Sequence, residues 1–193
     1  MAMNNICVLD TETTGLGRQA GRKDAIVEIG ATIYKDHNAV AEVDSLCWPG
    51  EEYFVNGRAD YALSKNHLSL ITLHDSPSIQ IVARQVRTLL TQYSPITVYS
   101  YNVQFEQSFL CDPPWSLNDI EGLSWGPCIM LHTAEWLGER NMNEWNDYFD
   151  NWKWPKQVEA ARTLGITIDE VKAHSAYYDA KIAFEIGKRT GLI

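Results

Sequence analysis

The chain is short of positive charge, of cysteine pairs and of long apolar runs, and each shortage removes a class of protein. No apolar stretch approaches the roughly 18 residues of a membrane-spanning helix, so no membrane partner is expected. The opening MAMNNICVLD lacks the basic segment and apolar core of a secretion signal, which makes a cytoplasmic location the expectation. Four cysteines, Cys7, Cys47, Cys111 and Cys128, are widely spaced with no C-x-x-C pair. That argues against zinc, and nothing demands an oxidising compartment. Sixteen Lys and Arg stand against 25 Asp and Glu, a net charge of −9. Such a chain is a poor coat for nucleic acid, because counterion release needs clustered cations. An enzyme that grips a few nucleotides through metal ions is untouched by that argument. No repeat, low-complexity tract or Ser/Gly/Pro linker divides the sequence, so residues 1–193 are read as a single domain. At this length a chain buries roughly 70% of its unfolded surface and needs no disulfide or zinc staple.

Residues Ile6 to Leu9 form a short apolar run that ends in Asp10, Thr11 and Glu12, followed by a loop with Gly15, Gly17 and Gly21. From Val27 to Ile33, apolar residues alternate with Glu28, Gly30 and Thr32, the period of a strand. A third strand is predicted over Ala41 to Trp48, which gives the sheet an antiparallel start. Val82, Val86, Leu89, Leu90 and Tyr93 recur at helical spacing across 78–93, and Pro95 stops that helix. Ile96 to Tyr99 reads as a buried strand. Val158, Ala161 and Leu164 mark a helix ended by Gly165, and a last helix starts at Ser175, a capping residue type, with Ile182, Ala183 and Ile186 on its apolar side. Strands first and helices interleaved later predict an α/β fold, a mixed sheet with helices packed on it.

Six of the seven tryptophans fall between Trp115 and Trp154 in a stretch without clear period. It reads either as a lid whose aromatic faces stack on bases or as a satellite apolar cluster under a long loop. The second reading is preferred, since long loops carry function less often than motif-bearing strand ends.

The chemistry lies in carboxylates. In LDTETTGL, residues 9–16, an extended chain delivers Asp10 and Glu12 on one face at i and i+2. Two acids that close need a cation between them unless one is protonated, and oxygen-rich sites of this kind suit Mg²⁺ or Mn²⁺. Taken alone, D-x-E is better read as a solvated strand end. Two further segments add to it: YSYNVQFEQSFL, residues 99–110, with Glu106 between Phe105 and Phe109, and AHSAYYDAKIAFEI, residues 173–186, with His174 just before a helix and Asp179 in its first turn. Singly, each of these has an ordinary structural explanation: a surface acid, a capping histidine, an acid that complements the helix dipole.

In their order, these segments resemble the motifs of the DEDDh family of 3′–5′ exonucleases, which includes RNase T and the proofreading subunits of bacterial replicative polymerases. DTETTGL with IVEIGA resembles the first motif and the strand after it, YNVQFEQSFL the second, and HSAYYDA the third, His-x4-Asp. Two positions depart: Tyr101 stands where His is common, and Glu106 where the family has Asp, one methylene longer. The resemblance implies a ribonuclease H-like mixed sheet and hydrolysis of terminal phosphodiesters to nucleoside 5′-monophosphates with two Mg²⁺ or Mn²⁺ ions. It implies metal ligation by Asp10, Glu12, Glu106 and Asp179, and His174 as general base. Thr11 and Thr13 would hold the terminal nucleotide, Leu16 would wedge against the last base, and Asn102 and Phe105 would line the substrate. Arg18, Arg22 and Lys23 are candidates for phosphate contact, though an ordinary solvated loop explains them as well. The partner is the 3′ end of DNA or RNA; a homodimer or a polymerase partner stays open. Two rivals remain: a binding module that has lost chemistry through Glu106, and, from D-x-E-T-T, an aspartyl-phosphate phosphatase, weakened by Glu12 and the lack of a Gly-Asp motif.

Overall fold

In the computed structural model, which describes residues 5–17, 24–57 and 59–193, the sheet is built outward from its central strand. β1 (Asn5–Thr13) pairs antiparallel with β2 (Ile26–Lys35) on one side and parallel with β4 (Ile96–Tyr99) on the other. β3 (Asn38–Leu46) continues the antiparallel half, β5 (Leu123–Trp125) the parallel half, and the order is β3-β2-β1-β4-β5. Asp36 and His37, both at positive φ (52° and 61°), make the two-residue turn between β2 and β3, a geometry that matches strand twist.

Seven helices flank the sheet among the described residues: α1 (Asp60–Lys65), α2 (Leu70–His74), α3 (Ile79–Gln92), α4 (Val103–Leu110), α5 (Ile129–Gly138), α6 (Gln157–Thr163) and α7 (Ala176–Thr190). Alternation along β1 feeds two cores. Cys7 and Leu9 join Val82, Val86 and Leu90 of α3 on one face, whereas Val8 joins Ile182, Ala183 and Ile186 of α7 on the other. Truncating Leu90, which is wholly buried, to Ala would cost about 2–5 kcal/mol.

β2 departs from the pattern of a half-solvated strand. Its polar positions Glu28 and Thr32 are as buried as its apolar ones, because α7 covers that face. The approach is close: a Cβ on Gly30 would overlap the backbone of Tyr177. Further along, Tyr34 stacks on Phe184 with ring centroids 3.6 Å apart.

Two expectations are corrected. The third strand begins at Asn38 and ends at Leu46, so Trp48 lies beyond it, in an isolated bridge to Ser78. The stretch from Trp115 to Trp154 is not a long loop over a satellite cluster. Trp115 is wholly buried in the main core, Trp125 ends β5, Trp136 sits on α5, and Trp145 and Trp152 belong to a small hairpin of β6 (Trp145–Asn146) and β7 (Asn151–Trp152). No described helix is long and apolar enough to cross a membrane.

Candidate functional site

Sheet topology creates the site. β4 stops pairing with β1 at Val8↔Tyr99, so β1 runs on from Leu9 to Thr13 without a neighbour on that side. α4 follows β4 closely and presents Glu106 to the vacated edge. That side chain is only 2% exposed, and its Oε2 accepts a 2.7 Å hydrogen bond from the Thr11 hydroxyl. The Thr11 backbone N–H also donates to this carboxylate. The longer arm of Glu106 therefore ends on Thr11, and the candidate nucleotide-holding groups of Thr11 are engaged within the protein.

Asp10 and Glu12 point to the other face, where α7 arrives. Asp179 Oδ2 accepts from the His174 backbone N–H at 3.2 Å. Ligand atoms of Glu12, His174 and Asp179 all lie within 4.8 Å of one another. His174 is exposed and adopts φ 67°, a left-handed conformation that non-glycine residues hold only when their surroundings impose it.

Glu28, a polar position in the β2 alternation and part of IVEIGA, is a member of the site that the motifs alone do not name. It pairs in register with Glu12, and its Oε1 accepts from the Ser175 hydroxyl and the Ala176 N–H, both at 3.1 Å. Ser175 does occupy the capping position of α7, but its own side chain accepts nothing there. A carboxylate from a neighbouring strand satisfies the helix end and fixes where Asp179 stands.

The electrostatics are one-sided. Desolvation, then the charges of Glu106, Glu12 and Asp179, push the Asp10 carboxyl well above its ordinary range. Glu12 is pushed up to about 8 by desolvation, then by Asp179, Glu28 and Glu106. Glu106 also rises to about 8 through desolvation, with the Thr11 bonds pulling the other way. Asp179 is raised by desolvation and lowered in part by His174. Among the described residues no Lys or Arg forms an ion pair with any of the four. Neighbouring carboxylates that no described Lys or Arg pairs with are a hard-oxygen donor set that fits Mg²⁺ or Mn²⁺.

A cavity of about 440 Å³ opens beside Glu12, lined by Thr11, Thr13, Leu16 and Phe105 and closed by Tyr61, Lys65 and Asn66 of the α1 region. Leu16 is 88% exposed on its rim, and Thr13 is turned inward, its hydroxyl donating to the Gly15 carbonyl at 2.6 Å. Asn102 is exposed at the start of α4 and does not line this cavity. Tyr101 is buried, its hydroxyl donating to the Pro155 carbonyl at 2.8 Å, so it serves the fold. The α1 wall escaped the sequence reading because a six-residue helix is too short to show a period. Arg18, Gly21, Arg22 and Lys23 lie outside the described residues.

No family model and no curated protein matches the chain. Solved structures do: the crystal structure of E. coli Exonuclease I in complex with a dT13 oligonucleotide superposes with a TM-score of 0.73 at 15% identity, covering 96% of this chain. The fold is ribonuclease H-like. A further Exonuclease I structure, described as suggesting how processivity is achieved, gives a TM-score of 0.73 at 14% identity over 97% of this chain. A zinc-bound form of the E. coli enzyme with single-stranded DNA gives 0.72 at 14% identity over 96%. In each case the match covers 40% of the Exonuclease I chain, so this chain spans about two fifths of that protein's length. In the ribonuclease H-like frame, Asp10 and Glu12 sit on the central strand, with Glu106 and Asp179 reaching them from α4 and α7.

Proposed function

We propose that residues 1–193 form a single metal-dependent exonuclease domain that removes nucleotides from the 3′ end of nucleic acid, single-stranded DNA first among the candidates. One observation carries the reading: ligand atoms of Glu12, Asp179 and His174 lie within 4.8 Å of one another beside a cavity that Glu12 lines, the charges of Glu106, Glu12 and Asp179 all bear on Asp10, and no Lys or Arg of the described residues forms an ion pair with these carboxylates. The same four carboxylates would hold two Mg²⁺ or Mn²⁺ ions, which when bound would activate water and neutralise the phosphate.

This chain's residues do the rest. His174, an exposed residue within reach of Glu12 and Asp179, takes the proton of the attacking water. The Glu28 cap and the His174 N–H hold Asp179 in position before substrate arrives. Leu16 meets the last base with an apolar face, and Phe105 backs the sugar side of the cavity. Hydrolysis adds water across the terminal phosphodiester and releases a nucleoside 5′-monophosphate.

A second reading, a binding module without turnover, draws on the Glu106–Thr11 bonds, which occupy that carboxylate. Digestion of a 5′-labelled single-stranded DNA oligonucleotide with Mg²⁺ or Mn²⁺, beside Asp10→Ala, separates the two. A ladder shortening from the 3′ end, absent in the variant and in EDTA, supports the exonuclease. Binding without cleavage of DNA or RNA under either metal supports the module.

A further inference from the structure

A second concave site lies among the tryptophans. A pocket of about 430 Å³ has Trp145, Trp152, Trp154 and Leu131 among its walls, with Glu135 and Asp150 at its edge. None of these residues lines the cavities beside the carboxylates.

The walls are fastened in place. Trp145 and Trp152 pair across the hairpin, their rings edge to face with centroids 5.1 Å apart and planes at 89°. A Cβ on Gly138 would overlap the Trp152 ring, so the missing side chain is the seat for that indole. Asn143 Nδ2 donates to the carbonyls of Ala134 (3.1 Å) and Lys153 (2.9 Å), tying the hairpin to α5. Trp154 precedes Pro155, which Tyr101 holds from the core. Despite this framework, Trp145 and Trp154 remain 48% and 55% exposed. Large aromatic surface held rigid and left open is the composition of a recognition site.

Charge selects the occupant. Between residues 135 and 153 stand Glu135, Glu139, Glu144, Asp147 and Asp150, against Arg140 and Lys153. Arg140 is already engaged, 3.5 Å from Glu139 and with its guanidinium 3.8 Å from the centre of the Trp136 ring. A phosphate backbone entering this surface meets repulsion, whereas a cation meets both indole faces and carboxylates. The Arg140–Trp136 stack is the same chemistry satisfied within the chain. A planar guanidinium suits the pocket better than an ammonium, because it stacks on an indole while its edge donates to a carboxylate.

We propose that the pocket of Trp145, Trp152 and Trp154, with Glu135 and Asp150, docks an arginine-bearing basic segment of a partner protein. Tyr148 and Phe149, packed edge to face at the exposed hairpin tip, extend the apolar surface beneath the residues flanking that arginine.

The test is calorimetric titration of the full chain with acetylated hexa-arginine, with hexa-lysine and with an oligothymidylate, repeated on Trp145→Ala, Trp154→Ala and Glu135→Gln. Hexa-arginine is expected to bind more tightly than hexa-lysine, and each tryptophan substitution to weaken it about tenfold. Both tryptophans are half exposed, so melting temperatures and metal-dependent cleavage should hold. The proposal is overturned if hexa-arginine does not bind, or if it binds no better than hexa-lysine and survives both tryptophan substitutions, which is diffuse charge attraction. Oligothymidylate binding that Trp154→Ala removes, or self-association that Trp145→Ala removes, overturns it in favour of nucleic acid or a second copy.

Discussion

Glu28 and Ser175 lie 147 residues apart and meet through a 3.1 Å hydrogen bond from the Ser175 hydroxyl to the Glu28 carboxylate. With the Ala176 N–H on the same oxygen, this contact caps α7 from outside the helix. Glu28→Ala is expected to lose about 1–2 kcal/mol of stability, as removal of a cap does, because the N–H is left without its acceptor. Cleavage should fall more than that loss explains, since Asp179 and His174 move with the helix end. Denaturant unfolding beside kcat at saturating metal checks both. Glu28→Gln, which keeps an acceptor oxygen, should retain most of each.

Thr11→Val keeps the shape of the side chain and removes the hydroxyl that donates to Glu106. That bond lowers the Glu106 pKa, so its loss raises an already elevated carboxyl further and disfavours the charged form that a cation needs. The expected result is a several-fold higher Mg²⁺ concentration for half-maximal cleavage at pH 7, with kcat at saturating metal little changed. An unchanged metal requirement would show that the bond has no bearing on ligation.

His174→Ala should retain metal and substrate binding and lose turnover by about 10²–10⁴-fold, the usual worth of a positioned general base. Binding of a labelled oligonucleotide in Ca²⁺, beside single-turnover cleavage in Mg²⁺, separates the two effects. Equal turnover in the variant would remove His174 from the chemistry.

Without divalent ions the protein should lose stability as pH rises. Glu12 and Glu106 titrate near 8 when folded and near the ordinary glutamate value of 4.5 when unfolded. Across that window the folded chain binds more protons than the unfolded one, so stability is present below about pH 4.5 and drains away towards 8. Thermal melts in EDTA should show a lower midpoint at pH 8 than at pH 5.5, and added Mn²⁺ should restore the midpoint at pH 8. A midpoint that rises with pH in EDTA would contradict the charge cluster.

Elements with a clean period were legible before any coordinates. The alternation of β2 and the apolar stripes of α3 and α7 placed those elements within a few residues. α5 was not legible: Ile129, Met130, Leu131, Ala134, Trp136 and Leu137 face several ways, because the helix packs on α7 on one side and on the hairpin on the other. The carboxylates were readable as three motifs, but their supports were not. Glu28 stood in the sequence only as a polar position in the alternation of β2, with nothing to say that α7 would cover it. Thr11 looked free for substrate, because nothing in the sequence says that β4 ends at the register of Val8 and leaves Glu106 to fill the gap.

The carboxylates come from β1, α4 and α7, in that order along the sequence. During synthesis Asp10 and Glu12 leave the ribosome long before Asp179, and the cap that fixes α7 waits on Glu28 until residue 176 has emerged. A nascent chain therefore carries half a cation site and nothing to complete it. The complete carboxylate set forms only once α7 has folded back onto β1 and β2.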